Sequence, residues 1–226
     1  MVGPDHNTLV LRIARERLGS LGLRQKGRSR TWLDDHGWWL IVVEFQPSSG
    51  SKGTYCNVGF DHLWFERDHL VLDQFERLPA AGGQFIPFNP EAPHLFEAES
   101  ASMADSVTQV IEERRLAHGS SDAEALKRLA LRSGDLYADY DAGAAAGLLG
   151  WRQEAEAAFD RVHSAEEHAP WVVGVKDQAA SLAGLLDSPP ALAGELTRRV
   201  NQTRAAVGLD PTQPSWNPHI ETDRAP

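Results

Sequence analysis

Residues 22–60, GLRQKGRSRTWLDDHGWWLIVVEFQPSSGSKGTYCNVGF, decide how the rest of the chain is read. The stretch concentrates β-branched and aromatic residues between two turn signals. With Trp64 just beyond, it holds four of the seven tryptophans. Residues 38–45 are almost continuously apolar, as a central strand buried on both faces requires. Asp34-Asp35-His36-Gly37 reads as a hairpin loop whose glycine supplies a positive φ, and residues 47–53 read as a flexible polar loop. The expectation is a three-stranded antiparallel meander with strands over residues 28–33, 38–46 and 54–60.

Upstream, Asp5 or Asn7 can cap a helix whose apolar residues Val10, Leu11, Ala14, Leu18 and Leu21 recur near helical spacing and which ends at Gly19 and Gly22. This helix is expected to cover one face of the sheet. Downstream, residues 61–72 fit either a fourth strand or a short helix. Residues 78–93 are interrupted by Pro79, Gly82, Gly83, Pro87, Pro90 and Pro93, which marks a domain boundary, with room for a short edge strand over 84–88. Beyond it Ala and Leu become dense and the period turns helical. Helices are expected over residues 102–118, 122–132, 136–149, 152–164, 171–186 and 190–207. From Asp210 the proline-rich tail reads as extended or disordered. The fold class is therefore α+β: an antiparallel sheet with a packed helix over residues 1–100, helical hairpins over 101–209, and a tail over 210–226.

No apolar run approaches the ~20 residues that span a bilayer, so no membrane partner is expected. The first residues lack a basic segment followed by an apolar one, and Cys56 is the sole cysteine. Both agree with a cytoplasmic, reducing setting, with Cys56 as a small core residue. The net charge of −10 is unevenly shared, because residues 1–60 carry eight basic and five acidic side chains. The acidic remainder favours a basic protein partner, or simply solubility, and argues against nucleic acid. The cluster Arg24, Lys26, Arg28 and Arg30 is a local exception. Oligomeric state is not legible.

Gly22-Leu-Arg-Gln-Lys-Gly27, Trp32, Gln46-Pro-Ser48 and Tyr55-Cys-Asn57-Val-Gly59 together resemble the signature of a bacterial family known as domain of unknown function 4304. The resemblance covers about the first quarter of the chain and departs from the family at Leu23, where an aromatic is usual. It implies an α+β sheet with flanking helices and implies no activity. Separately, residues 149–161, LGWRQEAEAAFDR, resemble the second half of a tetratricopeptide repeat, where a turn glycine and small alanines let two helices pack closely. The absence of a fixed period favours antiparallel hairpins over a regular solenoid.

Period two places Glu44 and Gln46 at the end of one apolar face of the central strand. If Asn57 points the same way, Glu44, Gln46 and Asn57, with Arg24 or Arg28 from the next strand, would line a polar pocket. The simpler reading is that these groups only satisfy one another and nearby loops. A second reading takes Asp34 or Asp35 with Glu44-Phe-Gln46 as similar to a metal-dependent nuclease, without the lysine that such sites use. His62 and His69 each follow an aspartate, but neither pair has ligand spacing. No phosphate-binding loop or nucleophile elbow occurs, and no cofactor or metal is implied. The favoured function is a protein-binding module, of the immunity or accessory kind. Its acidic helical surface, including Glu112, Glu113 and Glu124, would meet a basic partner.

Overall fold

A computed structural model of the chain describes residues 5–70, 73–119, 121–166 and 169–216. Helix α1, His6–Ser20, starts where the Asp5 carboxylate accepts hydrogen bonds from the N–H groups of Asn7 and Thr8. That satisfies two of the donors a helix start leaves without partners. Strands β1 (Arg24–Gln25), β2 (Thr31–Asp35), β3 (Trp39–Pro47), β4 (Gly53–His62), β5 (Asp73–Arg77) and β6 (Ile86–Pro87) follow, then helix α2, Pro93–His118. The remaining helices are α3 (Asp122–Ala130), α4 (Leu136–Leu148), α5 (Arg152–Ser164), α6 (Pro170–Ala183) and α7 (Pro189–Ala206). The fold is α+β, with an N-terminal antiparallel sheet followed by helices.

The strands run in the order β1-β2-β3-β4-β5, and β6 joins β4 beside β5. The pairs Trp32 with Val43 and Asp34 with Ile41 fix one face, and Leu33 with Val42 and Thr31 with Glu44 fix the other. From Trp39 to Val43 no side chain of β3 is more than 5% exposed, so the strand is buried on both faces over its apolar run. Cys56 lies inside the sheet, where burial pushes its thiol pKa up.

Several expectations shift. The first strand of the meander is 31–35 rather than 28–33, because Asp34 and Asp35 continue the ladder opposite Ile41 and Leu40. The turn tightens to Gly37-Trp38, with Gly37 at φ +85° and the His36 ring stacked 3.8 Å from Trp39. Strand β1 was not foreseen, and two residues leave no periodic signal. Residues 63–70 form turns and bends, neither strand nor helix, while 71–72 lie outside the described residues. Helix α2 begins at Pro93, nine residues before the expected start at 102. A proline read as a breaker is well suited to the first turn of a helix, where its missing N–H costs nothing.

The chain forms two compact units, Met1–Asp61 with Val71–Arg114, and His62–Leu70 with Arg115–Pro226. The boundary expected at residue 100 thus falls inside α2. In the first unit Arg12 pairs with Glu97 at 2.5 Å, Arg17 with Asp105 at 3.5 Å and Arg114 with Glu76 at 3.4 Å, which ties α2 to α1 and β5.

In the second unit α3 packs on α4, α4 on α5 and α5 on α6. The segment 62–70 joins this unit because Trp64 donates to Asp141, and Gln178 bonds both the N–H and the C=O of Glu66. The tail is extended but docked as far as Trp216: Thr212 exchanges two hydrogen bonds with Asn201, and the Trp216 indole donates to Thr197. The rest of the tail expected to be extended or disordered, 217–226, lies outside the described residues.

Candidate functional site

Strand register brings Glu44, Gln46 and Asn57 together as their spacing suggested. The Asn57 amide donates to Gln46 at 3.1 Å and to the Glu44 carboxylate at 3.3 Å. The cation is Arg77 of β5, which sits opposite Asn57. Its Nε donates to Asn57 Oδ1 at 3.0 Å and its Nη2 to Gln46 Oε1 at 2.8 Å, while its guanidinium lies 4.3 Å over the Tyr55 ring. Such stacking favours a planar cation that is partly removed from water.

Arg24 and Arg28 do not join this cluster. Arg24 pairs with Leu33 at the far edge of the sheet, three strands from Asn57, and Arg28 lies in the exposed turn after β1. The sequence reading looked for the cation only on the β2 side, where basic residues are dense. Arg77 stands alone in its short strand, and only the β4–β5 pairing identifies it.

The cluster is chemically self-contained. Gln46, Asn57, Arg77 and Tyr55 hold one another, which leaves a fixed polar patch rather than an open cleft. The carboxylates of the nuclease-like alternative do not converge either. Asp34 lies on the sheet face opposite Glu44, and Asp35 is roughly 13 Å along the strand from it at 3.3 Å per residue. The Asp34 carboxylate meets His36 at 2.8 Å, and Asp35 accepts from the Gly37 N–H, so both shape the turn. Among the described residues no three His, Cys, Asp or Glu side chains converge to hold a metal ion. A depression of about 250 Å³ between the loop at Pro79 and Ala81 and helix α2 at Ala98, Glu99, Ser102 and Met103 is smaller than the ~300 Å³ at which ligand sites usually begin.

Of the acidic residues singled out, Glu112 and Glu113 are exposed on α2, and Glu113 accepts from Gln109 at 2.8 Å. Glu124, on α3, is held by Arg128 one turn on.

The second unit contains a polar core that the sequence reading missed. Asp141, 4% exposed, accepts from the Trp64 indole at 2.7 Å and lies 2.7 Å from His62 Nδ1. Burial alone would raise its pKa. The charge of His62, with hydrogen bonds from His62 and Trp64, outweighs that and holds the carboxyl below its ordinary range. Next to it, Arg199 donates to Tyr140 at 3.0 Å, to Gln178 at 3.2 Å and to Glu195 at 2.7 Å. Hydrogen bonds from Arg198, opposed in part by burial, and from Arg199 lower Glu195 to about 2. The signal was an aspartate directly before the apolar run 142–149, on a helix buried over that run, where a charge survives only with partners.

The same unit carries an aromatic feature at its surface. Trp171, half exposed, stacks on Tyr137 at 5.9 Å with the rings 14° from parallel. Tyr137 in turn meets the edge of Phe65, and Arg67 lies over the Phe65 ring. No protein-family model matches the chain, and comparison with curated proteins and with solved structures finds no match.

Proposed function

We propose that the chain is a protein-interaction module, of the kind that neutralises or scaffolds another protein, with its helical half as the contact surface. The carrying observation is Trp171: a large apolar ring left half in water yet held in place by stacking on Tyr137. Rigid Trp and Tyr side chains are the types on which interface energy concentrates, because they bury much area at little entropic cost. Separately, in the first unit, the exposed carboxylates of Glu112 and Glu113 offer an acidic patch that would steer a basic partner. Glu124, neutralised by Arg128, contributes little.

The test is affinity capture from the native host with the wild-type chain, Trp171→Ser, and Glu112→Lys combined with Glu113→Lys. The reading expects a partner that is recovered by the wild type and lost with Trp171→Ser. With purified partner, the charge-reversed chain should associate more slowly, and the difference should shrink as salt rises. Equal recovery by all three chains would overturn it. So would a reproducible metal-dependent nuclease activity abolished by Glu44→Ala.

A further inference from the structure

Helix α2 meets α1 through Glu97 and Asp105, whose carboxylates are taken up by Arg12 and Arg17. Two residues past Glu97, and so about 200° round the helix at 3.6 residues per turn, Glu99 faces another side. There it lines the depression of about 250 Å³ between α2 and the loop that follows β5. The wall of that depression is the loop at Pro79, Ala80 and Ala81, and its floor is Ala98 and Met103. The loop is fixed, because Ala80 and Gly83 exchange both backbone hydrogen bonds, at 2.5 and 3.1 Å. A socket set in advance costs little ordering entropy to fill.

Wall and floor are apolar, and Glu99 is the single charged residue that lines the socket. Among the described residues no hydrogen bond or ion pair engages its carboxylate. Ser102 and Ser106 complete the rim, and the Ser106 hydroxyl donates to the Ser102 carbonyl at 3.2 Å, which leaves its lone pairs free to accept. Farther along the same helical row come Gln109 and the exposed Glu113.

The volume is too small for an ordinary ligand and has room for one long side chain. An apolar socket with an unpaired carboxylate and a hydroxyl acceptor at its rim suits lysine: Ala81 and Met103 cover the methylenes, and the ammonium donates to Glu99 and Ser106. We propose that this socket receives a lysine side chain from a basic segment of a partner protein, which continues along the acidic row toward Glu113. The proposal rests on the basic-partner reading above and supplies its anchoring point on α2.

Amide chemical shifts of the ¹⁵N-labelled full chain test this, with an acetylated, amidated pentapeptide carrying one lysine between alanines, titrated to 50 mM. The amides of Ala80, Ala81, Ser102 and Met103 should shift saturably. The same peptide with norleucine, which keeps the methylenes and lacks the charge, should bind at least tenfold more weakly. Glu99→Gln should weaken the lysine peptide at least tenfold, and Ala98→Phe, which fills the socket, should abolish its binding. Circular dichroism establishes that each variant is folded.

n-Butylamine separates a protein lysine from a free amine, and it should bind more weakly than the peptide. Absence of a saturable shift, equal binding of the norleucine peptide, undiminished binding by Glu99→Gln, or n-butylamine binding as tightly as the peptide would each overturn the proposal. The readout needs no native partner, so its failure is distinguishable from a failure of the capture experiment, which reports on Trp171 in the other unit.

Discussion

The indole nitrogen of Trp64 donates a 2.7 Å hydrogen bond to the carboxylate of Asp141, 77 residues along the chain, in a fully buried setting. His62 lies 2.7 Å from the other oxygen of the same carboxylate. One charge thus holds two side chains of segment 62–70 against the helices of the second unit. Removing it leaves the Trp64 N–H and the His62 ring buried without their acceptor. Asp141→Ala should cost roughly 3–5 kcal/mol, and Asp141→Asn, which keeps an oxygen for Trp64, should cost less. Urea melts measure both; two variants of equal and small effect would mean that the network does not hold the segment.

Acid should destabilise the folded chain in a defined window. Asp141 and Glu195 have folded-state pKa values below their ordinary 3.8 and 4.5, Glu195 at about 2. Between the two values of each group the unfolded chain binds more protons, so the stabilisation is complete above about pH 4.5 and drains away as pH falls toward about 2. Unfolding free energy followed from pH 6 to 2 should show this slope, and Glu195→Gln should make it shallower. Parallel acid limbs in the two proteins would contradict the assignment.

The sheet depends on β3. Ile41 is fully buried and Phe45 is 1% exposed, on the face shared with Val43. Truncating either to Ala should cost ~2–5 kcal/mol, as removed apolar contacts leave a cavity in a close-packed core. A shift in the denaturation midpoint at unchanged slope is the expected signature.

Gly143 offers a test whose sign is informative. Within a helix, Gly→Ala ordinarily stabilises by up to ~1 kcal/mol. A Cβ at Gly143 in α4 would lie 2.5 Å from the Phe159 ring in α5, so the two helices meet only because the side chain is absent. Gly143→Ala should therefore destabilise by ~1–3 kcal/mol through overpacking. Adding Phe159→Leu should recover part of the loss, and a stabilised Gly143→Ala would refute the close approach.

Much of the fold was legible because its signals are local. Asp5 caps the first helix through its own neighbours, and the apolar run of β3 announces burial on both faces. The helical half shows its joints through Gly150, Pro170 and Pro189. The candidate cluster was legible in part, since period two alone puts Glu44 and Gln46 on one face. Arg77 was not, because nothing near it in sequence marks which strand lies beside Asn57.

The sequence by itself therefore determined the α+β class, the central strand and the helical character of the second half, and narrowed the cap of α1 to Asp5 or Asn7. Each of these rests on residues within a few positions of one another, whose spacing carries the physics. Only the tertiary structure decided that α2 starts at Pro93, that residues 62–70 belong with the helices, and that Arg77 serves Asn57 and Gln46. It alone brought Asp141 to Trp64. These are pairings across tens of residues. Which partner wins there depends on the register and burial of whole elements rather than on any local pattern.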